Sequence, residues 1–123
     1  SDNYFSLDLT NIKQVKIRLI MLGEKLRRFR EANGLLQRQV AAKLDVDTAY
    51  ISKIESDEKL VSRTHLKSLA LLFGTSEDEL LTYWLADKVY DVVKDEEVGK
   101  NAIELIGLKL EKVNKFEKKK IQK

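Results

Sequence analysis

Residues 34–55 read GLLQRQVAAKLDVDTAYISKIE, and the fold turns on how this stretch is read. Val40, Ala41 and Leu44 recur at helical spacing and predict a helix from Gln37 to Leu44. Asp45-Val46-Asp47 interrupts that pattern. Asp47 suits the N-cap of a second helix, because a short carboxylate there can accept a backbone N–H of the first turn. That helix is predicted from Thr48 to Glu55, with Ile51 and Ile54 inward. Two helices joined by so few residues cross steeply, so small Ala41 falls where the second must pass close. Val46 tucks in from the turn and holds the angle.

Helix, tight turn, helix is the geometry of a helix-turn-helix, whose second helix enters the major groove of DNA. The stretch and its flanks, LGEKLRRFREAN before and SRTHLKSLALLFGTSEDELL after, resemble the Xre/Cro-type, lambda-repressor-like family. The resemblance covers residues 22–81, about half the chain. Arg30, Gly34, Gln37, Ala41, Leu44, Val46, Ile51, Ser52, Ile54 and Glu55 carry it. Two positions depart from the family pattern. Its turn usually holds Gly where this chain has Asp45, a residue that tolerates left-handed backbone better than most. The residue before Gln37 is often a capping Ser or Thr, and Leu36 there predicts a poorly capped first turn.

The resemblance implies an all-α, five-helix domain over residues 22–82. An N-terminal arm (1–21) and a C-terminal helical extension (83–123) flank it, the latter a candidate surface for dimerisation or a partner. Within the arm, Phe5-Leu7-Leu9 and Val15-Ile17-Leu19 alternate as in two short strands. Ile12, Val15, Leu19, Leu22, Leu26 and Phe29 also follow a helical seam that would extend the next helix backwards. Gly23 weighs against a long helix by about 1 kcal/mol relative to Ala.

Composition bounds the function. The chain has 123 residues, no cysteine, no proline, one histidine and a net charge of +3. Disulfides and thiolate metal sites are excluded, and a histidine metal cluster is not expected. No nucleophile–base pair, phosphate-cradling glycine loop or metal-ligand cluster is visible, so no enzymatic activity, cofactor or metal is expected. No apolar run reaches membrane-span length and no signal-peptide pattern is present, so the chain is expected in the cytoplasm, off the membrane. The small net charge is segregated: residues 22–73 are mildly basic, 74–97 acidic and 98–123 basic.

Leu22, Leu26 and Phe29 face inward on the first helix, which Asn33-Gly34 ends. Ser56 to Val61 reads as a polar loop. A fourth helix follows Ser62, with Leu66, Leu69, Ala70 and Phe73 inward, and Gly74 stops it. Ser76 and Glu79 form a capping box for a fifth helix. Its stripe, Leu80, Leu81, Trp84, Leu85, Val89, Val92 and Val93, is too long for a minimal five-helix domain. Trp84 therefore either caps the domain's own core or joins a dimer surface. Asp78, Glu79, Asp87, Asp91, Asp95, Glu96 and Glu97 line the outside and should point away from a duplex. Val98, Ala102, Ile106, Leu110, Val113 and Phe116 form a last stripe, which Gly99 and Gly107 weaken.

By resemblance, Arg30 pairs with Glu55 as a structural salt bridge. Thr48, Ala49, Ser52 and Lys53 face base edges, where hydroxyls, a methyl and an ammonium each have complements. Gln37, Arg38, Tyr50, Lys59 and Arg63 contact phosphate, Gln37 from a helix N-terminus. His65 is read as a surface residue without a role. The implied function is sequence-specific binding of double-stranded DNA by a homodimer on a palindromic operator, as a transcriptional regulator and more specifically a repressor. The alternative is an antitoxin or adaptor whose C-terminal helix binds a protein partner.

Overall fold

The computed structural model describes residues 21–121, with side chains through residue 112. The strand and helix readings of the N-terminal arm lie outside the described residues. The rest is all-helical: α1 (Leu22–Ala32), α2 (Gln37–Leu44), α3 (Thr48–Glu55), a 3-10 turn (Arg63–His65), α4 (Leu66–Phe73), α5 (Glu77–Val93) and α6 (Gly99–Ile121). Two compact units divide between Lys88 and Val89.

In the first unit the inward positions of each short helix meet in one core. Leu22 and Leu26 come from α1, Val40, Ala41 and Leu44 from α2, Ile51 and Ile54 from α3, Leu66, Leu69, Ala70 and Phe73 from α4, and Leu80 from α5. No helix of eight residues is stable alone in water, so burial of these faces holds α2, α3 and α4 in shape. The rings of Phe29 and Phe73 stack at 5.8 Å. Val61 belongs to this core as well and is only 2% exposed. The segment read as a polar loop is therefore pinned at its last residue. Trp84 closes the same side: its indole N–H donates to the Val61 carbonyl at 2.7 Å, and the ring packs on the core. Trp84 thus belongs to the core of its own unit.

Backbone breaks fall where the local chemistry allows them. Asp45 takes the left-handed conformation (φ 55°, ψ 48°) at the end of α2, and the Val46 N–H returns to the Ala41 carbonyl at 3.0 Å. Gly74 ends α4 at φ 70°, a conformation open to it for want of a Cβ. The start of α2 is better capped than Leu36 predicts. The Gln39 side-chain carbonyl accepts the Leu36 N–H at 2.7 Å, which is the return half of a capping box. At α5 the Ser76 hydroxyl accepts the Glu79 N–H at 3.1 Å. The Glu79 carboxylate turns instead to the Thr75 hydroxyl and to Lys25 on α1, 3.3 Å away. Glu79 is therefore half-buried and paired, not one of an outer row of acids.

Asp87 departs from the expected outer row too. It turns in to the start of α1 and accepts the Leu22 N–H at 2.9 Å, while Asp57 accepts the Gly23 N–H at 3.2 Å. Two carboxylates distant in sequence thus cap the positive end of α1, which has no side-chain cap from its own N-cap residue, Met21. Burial pushes the Asp87 carboxyl up to about 6 against the opposing effect of the Leu22 N–H bond, and the nearby Asp57 charge adds to the rise. Burial also raises Asp57.

Gly23 lies where this cap meets the end of α3. A Cβ there would fall onto the Ile54 carbonyl oxygen and within 2.9 Å of that of Glu55. Glycine at this point is a condition of close approach between α1 and α3.

Two outcomes follow from this corner. Gly23→Ala should lower unfolding free energy in urea by about 1–2 kcal/mol, because overpacking against fixed carbonyls outweighs alanine's better helix propensity. Asp87 binds its proton more tightly folded than unfolded, so its contribution to stability falls as pH rises from 3.8 through about 6. The unfolding free energy of Asp87→Asn minus that of the parent should accordingly increase across this window; a constant difference would show that Asp87 titrates normally.

Candidate nucleic-acid interface

α3 presents two faces fixed by its 100° step. Ile51, Ile54 and Glu55 are buried, while Thr48, Ala49, Ser52 and Lys53 are exposed. These four lie at i, i+1, i+4 and i+5, within one continuous arc. The carboxylate of Asp47 accepts the Tyr50 N–H at 2.8 Å, so it is committed to capping α3.

The far end of α3 is held by a buried ion pair. Arg30 donates from Nε to Glu55 Oε2 at 2.7 Å and from Nη2 to Oε1 at 3.1 Å. Its third arm, Nη1, donates to the Leu35 carbonyl at 2.8 Å. Gln37, the first residue of α2, donates from Nε2 to Glu55 Oε1 at 3.0 Å. The ion pair thus joins α1, the α1–α2 connection, α2 and α3. The Arg30 side chain is 13% exposed and that of Glu55 6%. The hydrogen bond that Arg30 donates to Glu55 raises the guanidinium pKa further, against the effect of burial. Arginine is suited to the place, since its planar fork serves both carboxylate oxygens and a carbonyl at once.

The other expected contact residues surround this face in different states. Arg38 is exposed beside Gln37. Lys59 sits with Nζ 5.4 Å from the Tyr50 ring centre, and Arg63 lies 5.7 Å from that of Trp84. Tyr50 is half-buried, and its hydroxyl accepts the Ser62 N–H at 2.9 Å and meets His65 Nδ1 at 3.2 Å. The His65 tautomer decides which of the two groups donates in that second bond. His65 is correspondingly not an idle surface residue. It is half-buried, edge-on to the Tyr50 ring, and helps fix the start of α4 to α3. No spacing rule links Tyr50, Ser62 and His65, so sequence periodicity carries no signal for this cluster.

On α1, Arg27 and Arg28 pair within their own helix with Glu31 and Glu24. Asp57, with left-handed backbone at φ 63°, reaches back to α1 directly after α3 ends. Among the described residues no cluster of acids and histidine has the makings of a metal site.

Comparison with known families gives a match to the helix-turn-helix family over residues 26–80. This segment is a lambda-repressor-like helix-turn-helix domain. The domain spans the five helices from α1 into α5, and it is of the DNA-binding kind found in transcription regulators. No curated protein and no solved structure matches the chain. No helix among the described residues is long and apolar enough to cross a membrane.

The Arg30–Glu55 pair gives the domain its sharpest mutational test. Arg30→Ala should lower unfolding free energy by about 3–5 kcal/mol, since it leaves a buried carboxylate with most of its hydrogen bonds gone. Chemical denaturation followed by far-ultraviolet circular dichroism measures it; a loss below about 1 kcal/mol would mean that water replaces the arginine.

Proposed function

We propose that this protein is a sequence-specific, double-stranded-DNA-binding regulator of transcription that acts as a homodimer on a palindromic operator. The observation that carries the reading is the exposed quartet on α3, set on a helix whose two ends are fixed by Asp47 and by the Arg30–Glu55–Gln37 network. A rigid, outward helix of this kind suits the major groove, where base edges display distinct donors, acceptors and methyl groups.

In this reading Lys53 donates to guanine acceptors, Thr48 and Ser52 bond to base edges or nearby phosphate, and Ala49 meets a thymine methyl. Gln37 and Arg38 approach a phosphate at the start of α2, where backbone N–H groups and the helix dipole favour an anion. The Gln37 amide nitrogen already serves Glu55, so its phosphate role falls to its backbone N–H and its second amide hydrogen. Lys59 and Arg63 reach the backbone on the other side. Tyr50 positions these elements through Ser62 and His65. A single reading helix covers few base pairs, so two copies on half-sites about one helical turn apart are needed for high specificity. Occupation of a promoter by such a dimer gives repression in the cytoplasm.

Selection from a random duplex library at near-physiological salt should recover an inverted repeat of fixed spacing. Lys53→Ala should then weaken binding about tenfold or more and relax the preference at one base pair per half-site. An equal loss on every sequence, with a shallower salt dependence, would place Lys53 on phosphate instead. Recovery of no motif, with binding that vanishes as salt rises, would sink the proposal.

A further inference from the structure

We propose that Lys88 on α5, outside the segment that matches the family, is a backbone-phosphate contact of the DNA interface, set beside Arg63 by the indole of Trp84. This deepens the reading above and rests on its assignment of Arg63 to phosphate.

α5 carries the acids Glu77, Asp78, Glu79, Asp87 and Asp91 and a single cation, Lys88. A lysine on such a helix is expected to pair with an acid one turn away. Lys88 does not. Asp91, three residues on, pairs with Lys94 at 2.9 Å. Asp87 turns to the Leu22 N–H, and Glu79 to Thr75 and Lys25. Lys88 instead holds its Nζ 4.8 Å from the centre of the Trp84 ring.

The same ring has Arg63 at 5.7 Å, and Arg63 comes from another part of the chain. The indole N–H of Trp84 donates to the Val61 carbonyl, which turns this face of α5 to the loop before α4. Lys88 is one turn after Trp84 on that face, so it stands with Arg63 around one indole. Lys59 is over Tyr50 on the same loop, and the Tyr50 hydroxyl ties Ser62 to α3. Among the described residues none of Lys59, Arg63 and Lys88 forms an ion pair.

Two like charges held around one ring repel, and no carboxylate of the described residues answers them. An anion does. The loop that carries the other two cations adjoins the exposed quartet of α3, so the anion fitted to Lys88 is a phosphate of the same duplex. An ammonium on a flexible stem suits it as a point charge, without base preference.

The full chain is titrated with the selected duplex and with a random duplex from about 50 to 200 mM salt. Lys88→Gln should weaken binding to both by up to about fivefold, the range of an exposed ion pair. It should reduce the salt slope by about 1 for each bound copy, as Arg63→Gln does. Lys88→Arg should restore affinity and slope. Lys94→Gln removes the same charge from a lysine already paired with Asp91 and should change neither. In phosphate ethylation interference, one position per half-site should disappear in Lys88→Gln. An unchanged slope, an effect no larger than that of Lys94→Gln, or an unchanged interference pattern overturns the proposal. If Arg63→Gln still lowers the slope in that case, the DNA-binding reading stands. A slope loss for Lys88→Gln in a protein that selects no sequence supports the phosphate contact and removes the sequence-specific reading. No duplex binding by the parent overturns both.

Discussion

The carboxylate of Glu55 is buried at the end of an eight-residue helix, and the orientation of α3 depends on how that charge is satisfied. A lone carboxylate in this position would cost several kcal/mol of desolvation. Arg30 answers it through two hydrogen bonds, Gln37 adds a third, and the remaining arm of Arg30 goes to the Leu35 carbonyl. Burying an ion pair stabilises a fold only weakly against an apolar alternative of the same shape. What it supplies here is direction: a planar fork meets a planar acceptor in few orientations, so α1, α2 and α3 are fixed relative to one another. An apolar contact of equal area would permit sliding.

The same end of α3 is fixed a second time, from the other end of α1. Gly23 lets the start of α1 pass against the Ile54 and Glu55 carbonyls, and Asp57, two residues beyond α3, caps the Gly23 N–H. Asp87 caps the neighbouring N–H of Leu22. Burial raises both carboxyls; the Asp57 charge adds to the rise at Asp87, and the Glu24 charge adds to that at Asp57. The helix dipole of α1 offsets part of that cost, since its positive end lies at these two groups. The paired and capping carboxylates are concentrated where the chain turns after α3, and the outward face of the helix carries none.

Much of this was legible in the sequence, and the line between what was and what was not is physical. Apolar periodicity marks faces, so the inward sets of α1 to α4 follow from spacing alone, and the α3 quartet follows as their complement. Caps that act within three residues, such as Asp47 and Ser76, are equally local. Partnerships between polar groups far apart in sequence leave no periodic trace. Tyr50 takes its partners 12 and 15 residues on, at Ser62 and His65, and Asp87 serves an N–H 65 residues before it. Val61 ends a polar run, so its burial was hidden by its neighbours. Residues 1–20 satisfy both a strand and a helix pattern, and no local residue breaks the tie. For the family itself the register of ten residues between Arg30 and Glu55 sufficed.

Charge segregation bears on how such a domain achieves selectivity. The net charge of +3 is small, and the exposed α3 quartet carries a single cation, Lys53. Lys59 and Arg63 each lie over an aromatic ring, Tyr50 and Trp84, which are themselves fixed by hydrogen bonds to Ser62 and Val61. A cation held over a ring loses conformational freedom before any ligand arrives, so less remains to be lost on binding. Affinity for DNA in general scales with the number of phosphates neutralised, and a face with few cations limits that sequence-independent part. In the proposed complex, discrimination then rests on pre-organised geometry at Thr48, Ala49, Ser52 and Lys53 and on the joining of two such faces. That shifts weight onto the second copy: with weak general attraction, one domain alone would hold a half-site too briefly to compete with the excess of other sequences.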